Sequence, residues 1–284
     1  MCGFAGGILS DPSGIHNREI LAKMGDILAH RGPDDSGLFM DGPCGLVHRR
    51  LSVIDLSASG HQPMSNEDGT VWIAYNGEVY NFRELRSRYH LENHTFKSAT
   101  DTEVLIHLYE EMGEEFLTVL NGMYSLALWD SRRRKLLLAR DPFGVKPLFY
   151  TETAAGFWFA SEIKSLLEVP GVERKPSLDA LNGYLAFDYV PDSMTPFQGI
   201  HEVHPGTALL VCPGKGAERE WRFFSPEYSE DNSISFKDAC ADSLAILEDS
   251  IRRTLISDVP VGVMLSGGMD SSAMTARMRS QKRK

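Results

Sequence analysis

Long apolar runs are missing from this chain of 284 residues, and its start has no basic segment that leads into an apolar stretch. The first absence excludes a bilayer-spanning helix, and the second argues against a secretory signal peptide. The four cysteines, Cys2, Cys44, Cys212 and Cys240, are widely separated and form no CxxC pair. We therefore expect a cytoplasmic protein with reduced thiols and no membrane partner.

Positive charge is also scarce, because 39 acidic residues outnumber 29 basic ones and give a net charge of −10. Such a balance provides no general attraction to nucleic acid. The exception is the final stretch AMTARMRSQKRK, which is basic. Such a stretch could contact an anionic partner, but we interpret it as a solvated or frayed chain end. We therefore expect no nucleic-acid partner.

A clear set of metal ligands is the third absence. His90 and His94 lie at helical spacing in RSRYHLENH, but no thiol and no pair of acidic residues lies close to them in the sequence. Zinc sites gather such ligands at short, recurring spacings. We therefore expect no metal in the first 215 residues, and we place both histidines at the surface.

Two amphipathic helices and many short strands are predicted for the first 215 residues. An apolar face from Ile20 to Leu28 predicts a helix over residues 17–31, which Gly32-Pro33 ends. The tetrapeptide TDTE, from Thr100, has the form of a capping box and predicts a second helix that Gly113 ends. Runs such as VWIAY, MYSLALW and KLLLAR predict strands. Together they indicate helices packed on sheets, at least one of them largely antiparallel.

The character of the chain changes after residue 215. Residues 216–235 are polar and aperiodic, which predicts a linker between a domain at 2–215 and a second unit at 236–284. Apolar residues at steps of three or four predict an amphipathic helix that Ser235 caps. The run VPVGVML then predicts a buried parallel strand that enters SGGMDSS and a further helix. About fifty residues are too few for a complete open parallel sheet, so we expect the second unit to be truncated.

Cys2 stands directly after the initiator Met and directly before Gly3. Removal of Met1 would place a free α-amino group on the same residue as the thiol. The ordinary pKa of an α-amine is about 7.7–8.0, so this amine can accept the thiol proton without a histidine. Gly3 would let a substrate approach the backbone closely. An incidental N-terminal cysteine is the alternative, and the dipeptide MC alone favours that alternative.

Eight motifs, the first of which contains Cys2, occur in order along the chain: MCGFAGG, HRGPDDSG, HRRLSVIDLSASGHQPM, YNGEVYN, SATDTEV, NGMYSLALWD, RDPFGVKPLFY and FASEIKSLL. Together they resemble the N-terminal glutaminase domain of class II (N-terminal-nucleophile) glutamine amidotransferases, in the asparagine synthetase branch. The resemblance runs from residue 2 to about residue 215, and SGGMDSS continues it into the synthetase domain. It implies an α+β fold, an αββα sandwich, followed by the start of an α/β domain like that of ATP pyrophosphatases.

The resemblance also implies a role for each matching residue. Cys2 would attack the side-chain amide of glutamine, release ammonia and leave a glutamyl thioester for water to cleave. The Asn76 side-chain amide and the Gly77 backbone N–H would form the oxyanion hole. The other positions would bind glutamine: Arg50 its α-carboxylate, Glu78 and Asp101 its α-ammonium, and Leu51, Ser52, Val53 and Ile54 its side chain, largely through backbone groups. No cofactor is implied for this reaction.

Each of these residues also has a structural interpretation. Arg50 could be a surface charge at a strand end, Asn76-Gly77 a hairpin turn, and Asp101 an acid in the first turn of a helix. The motif combination favours the functional interpretation. Several neighbouring polar residues are expected to be scaffold or structural: His30, Arg31, His48, His61, Asp141 and Lys146.

The motif SGGMDSS predicts a loop that offers backbone N–H groups to an anion, with a helix N-terminus behind it. A tight Gly-Gly turn is the structural alternative. The motif resembles the SGGxDS pyrophosphate-binding loop of the ATP pyrophosphatase family. That resemblance implies ATP and Mg²⁺ for the synthetase half, with Leu265 at the nucleoside and six residues at the phosphates or magnesium: Ser266, Gly267, Gly268, Asp270, Ser271 and Ser272.

The two halves together imply a glutamine-dependent asparagine synthetase. Ammonia released at Cys2 would attack β-aspartyl-AMP, made from aspartate and ATP, to give asparagine. The chain ends twelve residues after SGGMDSS, so we expect this chain alone to be competent for glutaminase chemistry at most. An amidotransferase of the same branch with a different carboxylate acceptor, and a non-catalytic regulatory partner, stay open as alternatives. A homodimer also stays open.

Overall fold

The computed structural model describes residues 1–230 and 233–281 and divides the chain into two compact units, Met1–Ser225 and Pro226–Lys284. Among the described residues, no helix combines the length and the apolar character needed to cross a bilayer. All four cysteines are described, and none of them is in a disulfide.

Twelve strands lie in the first unit. In chain order they are β1 (Gly3–Leu9), β2 (Asp35–Asp41), β3 (Cys44–Arg50), β4 (Met64–Ser65), β5 (Val71–Val79), β6 (Gly122–Asp130), β7 (Lys135–Arg140), β8 (Phe149–Thr153), β9 (Gly156–Ala160), β10 (Ile200–Glu202), β11 (Thr207–Cys212) and β12 (Gly216–Arg222). Five helices accompany them: α1 (Asn17–Asp26), α2 (Phe82–Arg88), α3 (Asp101–Met112), α4 (Ile163–Leu166) and α5 (Leu178–Phe187).

The strands form two antiparallel sheets of six strands each. The first sheet has the order β10-β8-β9-β1-β3-β2, and the second has the order β12-β11-β7-β6-β5-β4. In the first sheet β1 pairs with β3, with Gly3 opposite Arg49. In the second sheet β5 pairs with β6 along its whole length, from Val71 to Val79.

Side chains of β1 show how the layers stack, because successive residues of a strand point to opposite faces. Phe4 and Ile8 join a buried cluster with residues of the second sheet, so the two sheets pack face to face. Ala5 and Leu9 join another buried cluster on the opposite face, where α1 and α4 cover the first sheet. Helix α3 packs on β4 and β5 and covers the second sheet. The layers are therefore αββα, and the predicted α+β sandwich is confirmed.

The two predicted helices of this unit form, with one shift in length. Helix α1 ends at Asp26, five residues before the predicted end, because residues 27–31 continue as turns. Helix α3 begins after Thr100, whose side chain accepts a hydrogen bond from the Glu103 backbone N–H. The Glu103 carboxylate bonds the backbone N–H groups of Lys97 and Ser98, and so it holds the segment that enters the helix.

The linker predicted for residues 216–235 is wrong at its start, because Gly216–Arg222 is strand β12 and pairs with β11. The strand lies at the edge of its sheet and is largely exposed, so its sequence lacks the apolar alternation that marks a half-buried strand. The first unit therefore ends at Ser225 rather than at residue 215. Two of the predicted linker residues, 231 and 232, lie outside the described residues.

The second unit contains α6 (Phe236–Thr254) and α7 (Met269–Gln281). Helix α6 begins where predicted, since the Ser235 hydroxyl accepts a hydrogen bond from the Asp238 backbone N–H. The predicted strand at VPVGVML does not form, and this unit has no strand among its described residues. A parallel strand needs neighbours to satisfy its backbone groups, and the described part of the unit supplies none. Residues 282–284 of the basic ending lie outside the described residues.

Candidate active site

Cys2 lies at the edge of a pocket where β1 begins and β3 ends. Its Sγ atom accepts a hydrogen bond from the Leu51 backbone N–H at 3.4 Å, and its carbonyl accepts one from Arg31 Nε at 2.8 Å. A Cβ atom on Gly3 would lie 2.8 Å from the Arg31 side chain, so the glycine permits this close approach. Burial raises the pKa of the Cys2 thiol. The thiol therefore needs a base to become nucleophilic near neutral pH.

The pocket beside Cys2 is formed by three segments that are far apart in the sequence. They are the end of β3 with the loop that follows it, the second half of β5, and the N-terminus of α3. The lining residues are Cys2, Arg50, Leu51, Val53, Ile54, Gly60, Gln62, Tyr75, Gly77, Glu78, Thr100, Asp101 and Thr102. Eight of the ten residues assigned from sequence to glutamine chemistry are therefore in one pocket.

Arg50 is the last residue of β3 and is almost fully buried, with 5% of its surface exposed. Its guanidinium donates to the carbonyl oxygens of Ile54 and Ser57 at 3.2 and 2.9 Å. These neutral acceptors orient the guanidinium without cancelling its charge. The pocket thus contains a fixed cation suited to a carboxylate. The alternative of a surface charge is wrong for Arg50.

Glu78 and Asp101 place two carboxyl groups at the same pocket. The Asp101 carboxylate accepts hydrogen bonds from the Tyr75 hydroxyl at 2.9 Å and the Val79 backbone N–H at 2.8 Å. The pKa of Glu78 is raised to about 8, mainly by burial and secondly by the negative charge of the nearby Asp101. Burial also raises the pKa of Asp101. An ammonium ion bound between the two acids would offset the cost of their burial and mutual repulsion.

Asn76 and Gly77 lie inside strand β5, opposite Ser125 and Tyr124 of β6, so the alternative of a hairpin turn is wrong. Only 1% of Asn76 is exposed, and its Nδ2 atom has no hydrogen-bond partner among the described residues. A buried donor without a partner is costly, which is a reason to expect a ligand there. A Cβ atom on Gly77 would lie 2.4 Å from the Met123 carbonyl, so only glycine fits at this point of the strand.

Two of the ten assigned residues do not line the pocket, Asn76 and Ser52. The Ser52 backbone N–H donates to the Asp34 carboxylate at 2.8 Å, which fixes the loop that follows β3. Five lining residues inside the quoted motifs had no predicted role in glutamine chemistry: Gly60 and Gln62 of SASGHQPM, Tyr75 of YNGEVYN, and Thr100 and Thr102 of SATDTEV. The Gln62 side-chain oxygen accepts a hydrogen bond from the Tyr75 backbone N–H at 2.8 Å and thereby holds the loop against β5.

The polar neighbours that were expected to be scaffold have contacts that suit that role. His48 is fully buried and bonds the Tyr75 carbonyl, and burial lowers its pKa to about 4, so it is neutral. Asp141 accepts hydrogen bonds from the backbone N–H groups of Phe143, Val145 and Lys146. Arg31 joins Glu162 in an ion pair at 2.8 Å while it holds the Cys2 carbonyl.

The glycine loop of the second unit precedes α7, as the sequence predicts. Gly267 has φ of +84°, a conformation that favours glycine, and the hydroxyls of Ser266 and Ser271 are 3.0 Å apart. Leu265 and the loop residues are exposed, except that Ser271 is half-buried. Backbone N–H groups at the start of a 13-residue helix are suited to an anion, but the strand expected to support the loop is not formed.

Comparison with known families agrees with this geometry. Residues 1–222 match the model of the glutamine amidotransferase domain, and residues 243–284 match the model of asparagine synthase. Asparagine synthetase [glutamine-hydrolyzing] 3 of Bacillus subtilis is 38% identical over 282 residues, which cover 97% of this chain and 45% of the relative. The putative asparagine synthetase [glutamine-hydrolyzing] 2 of Methanocaldococcus jannaschii is 33% identical, over 98% of this chain and 57% of the relative.

Among solved structures, glutamine phosphoribosylpyrophosphate amidotransferase from B. subtilis matches with a TM-score of 0.55 and 18% identity, over 99% of this chain and 64% of that one. At this identity the match supports the fold alone. The chain spans about half the length of the curated relatives it matches. Because one family model covers most of the chain, the chain belongs to the glutamine amidotransferase domain family, and the relatives it matches are glutamine-hydrolysing asparagine synthetases.

Proposed function

We propose that this chain hydrolyses the side-chain amide of glutamine at Cys2. The observation that carries the proposal is one pocket with a thiol, a buried guanidinium, the buried carboxyl group of Asp101 and the half-buried one of Glu78. Arg50 would bind the α-carboxylate of an amino acid, and Glu78 with Asp101 would bind its α-ammonium. Both charged groups of the substrate are thereby used for positioning, and its side chain is left to reach the thiol.

The reaction proposed for the pocket begins with transfer of the thiol proton. After loss of Met1, the α-amine of Cys2 accepts this proton, and Sγ forms a bond to the amide carbon. Asn76 Nδ2 and the Gly77 backbone N–H donate to the oxygen that becomes negative. The C–N bond breaks, ammonia leaves with the proton from the amine, and a glutamyl thioester remains. Water then cleaves the thioester to give glutamate and the free thiol.

Release of glutamate and ammonia from glutamine, without ATP, tests the proposal in the full chain. Two analogues sharpen the test, because each lacks one charge that the pocket is proposed to bind. Glutamine with an acetylated α-amine loses the contact to Glu78 and Asp101, and the α-amide of glutamine loses the contact to Arg50. We expect equimolar products from glutamine and at least a tenfold lower kcat/KM for each analogue. Equal rates for all three compounds would contradict the assigned binding mode.

Glutamine affinity is predicted to depend on pH through Glu78. The free pocket holds this carboxyl protonated below its pKa of about 8, whereas a bound ammonium favours the carboxylate. Binding therefore releases a proton, and the dissociation constant should rise up to about tenfold for each pH unit below 8. Equilibrium binding to the Cys2→Ala chain measures this without turnover.

The Glu78→Gln variant is the control for that pH dependence. It should bind glutamine more weakly and with a nearly flat profile from pH 6 to pH 8. Glu115→Gln, a change at an exposed acid outside the pocket, should keep the slope of the parent chain. If the dissociation constant of Glu78→Gln kept the pH dependence of the parent chain, the proton released on binding would come from another group.

Gly60→Ala is predicted to weaken glutamine binding through Arg50. A Cβ atom on Gly60 would lie 1.9 Å from Arg50 Nη2, so the guanidinium would have to move. We expect the KM for glutamine to rise about tenfold with a small change in kcat, because a loss of ground-state binding appears in KM. Gly25→Ala is the matched control, since its Cβ atom would meet Val47 at an ordinary 3.4 Å. An unchanged KM in a folded Gly60→Ala chain would contradict the role given to Arg50.

For the whole protein we propose glutamine-dependent asparagine synthesis in the cytoplasm. This proposal is supported by the asparagine synthase match at residues 243–284 and by the names of the relatives. Aspartate and ATP would be the further substrates, and ATP would bind as its Mg²⁺ complex. The seven loop residues assigned from sequence, Leu265, Ser266, Gly267, Gly268, Asp270, Ser271 and Ser272, would contact the nucleotide or its magnesium. A different carboxylate acceptor remains the second candidate, and a homodimer remains a hypothesis.

A further inference from the structure

A second group of ionisable side chains lies at the outer face of the second sheet. Glu67 comes from the loop between β4 and β5, His94 from the segment before α3, and His107 and Glu110 from α3 itself. One nitrogen or oxygen atom from each of the four lies within 4.8 Å of all the others. The expectation that His94 is a surface residue is wrong, because only 16% of its side chain is exposed.

The distances in this cluster resemble those between the ligands of a tetrahedral metal ion. Zn²⁺ binds histidine nitrogen and carboxylate oxygen at about 2.0–2.2 Å, which places neighbouring ligand atoms of a tetrahedral site about 3.3–3.6 Å apart. His94 Nδ1 lies 3.4 Å from Glu67 and 3.7 Å from Glu110. His107 Nδ1 lies 2.8 Å from Glu110 and 3.9 Å from Glu67. Shifts of a few tenths of an ångström to about half an ångström would bring these distances to the tetrahedral value.

Contacts around the cluster hold its side chains in orientations that suit ligation. The second nitrogen of His94, Nε2, faces the Glu111 carboxylate at 3.1 Å. A proton on that nitrogen leaves Nδ1 as a lone-pair donor, which is the arrangement that metal-bound histidines have with an outer carboxylate. The Asn66 amide donates to Glu110 at 2.7 Å, and the Thr95 backbone N–H donates to Glu67 at 2.8 Å.

Burial and charge also favour a divalent cation. His107 is fully buried, and its ring stacks on that of His94 with the centroids 4.2 Å apart. Two neutral imidazoles and two carboxylates carry a total charge of −2, which a divalent ion neutralises.

We propose that Glu67, His94, His107 and Glu110 form a structural site for a divalent transition-metal ion, with Zn²⁺ as the best match to two nitrogen and two oxygen ligands. None of the four lines the Cys2 pocket. The ion would join α3 to the β4–β5 loop and to the segment before α3. Because Asp101 is the first residue of α3, the site would stabilise the element that carries one pocket wall.

Zinc titration of the full chain, after removal of metal with a chelator, tests this proposal. The Cys2→Ala chain is used as the parent, because a thiol beside an amine binds Zn²⁺ itself. We expect one Zn²⁺ per chain by calorimetry and a Tm that rises with the ion. His94→Gln and Glu110→Gln should each weaken binding at least tenfold, in line with the loss of one ligand. His90→Gln, which alters a nearby histidine outside the cluster, should bind like the parent.

Equal Zn²⁺ affinity in the parent and in both ligand variants would overturn the proposal, as would no binding by the parent. Cobalt substitution provides a second measurement, which needs no change at the four proposed ligands. Co²⁺ in the parent chain should give the visible absorption of a tetrahedral ion with nitrogen and oxygen ligands. Sulfur-to-metal charge-transfer bands would instead assign the ion to one of the remaining cysteines, and they would also overturn the proposal.

Discussion

Replacing Cys2 by alanine is expected to lower glutamate release from glutamine by about four orders of magnitude or more, because the nucleophile is lost. Glutamine binding should persist, since the groups proposed to hold its α-carboxylate and α-ammonium are unchanged. The measurement is glutamate release by the full chain without ATP, together with equilibrium binding of glutamine.

Cys44→Ala is the matched control for the nucleophile. Cys44 is fully buried in the core between the sheets, and burial raises its thiol pKa far above the ordinary value. It therefore cannot serve as a nucleophile, and its replacement should retain activity at a small cost in stability. Glutamate release that survives in Cys2→Ala, or that disappears in a folded Cys44→Ala chain, would place the chemistry elsewhere.

The second large effect is expected at Asn76. Its Nδ2 atom is buried without a partner among the described residues, as expected of a donor kept for the oxyanion. Asn76→Ala should lower kcat about 10²–10³-fold and leave the KM for glutamine within about threefold, because the hydrogen bond would form mainly in the transition state.

Ser125→Ala controls for damage to the strand around Asn76. Ser125 lies directly opposite Asn76 in β6, and its hydroxyl is also buried without a partner among the described residues. Removal of this hydroxyl should leave kcat within about twofold of the parent. If the two variants lost activity equally, the effect at Asn76 would be structural rather than a loss of oxyanion stabilisation.

Local signals were sufficient to predict several elements of the fold. The Thr100 cap marks the start of α3 correctly, and the apolar runs mark β5, β6 and β7. Both features depend on residues close together in the chain, so the sequence pattern contains them. The edge strand β12 lacks such a signal, because most of its residues face solvent and need not be apolar.

The residues that carry the chemistry of the glutamine pocket could be predicted from the sequence. The residues that shape the pocket through tertiary contacts could not. The residue types at Cys2, Arg50, Glu78 and Asp101 indicate their roles through charge and nucleophilicity. The role of Gly60 depends on the approach of the Arg50 guanidinium, which is a tertiary contact that no local pattern contains. The same is true of the candidate metal site, because Glu67 lies 27 residues before His94 and is brought to it only by the packing of α3 on the sheet.

At VPVGVML, by contrast, the sequence predicts a strand that the structure does not contain. Its β-branched sequence favours a buried strand, yet the residues form no strand. Strand propensity depends on neighbours that cover the strand and pair with it, and the described part of the second unit contains no other strand. Propensity alone was therefore an insufficient guide.

In the proposed mechanism, the α-amine of Cys2 serves as the base for its own thiol. We would test this by measuring glutamate release by one preparation before and after proteolytic removal of an N-terminal extension that precedes Cys2. Intact mass establishes which residue comes first in each sample. We predict activity only after cleavage exposes the Cys2 amine. Equal activity of the extended and the cleaved chain would contradict the claim and require another base for the Cys2 thiol.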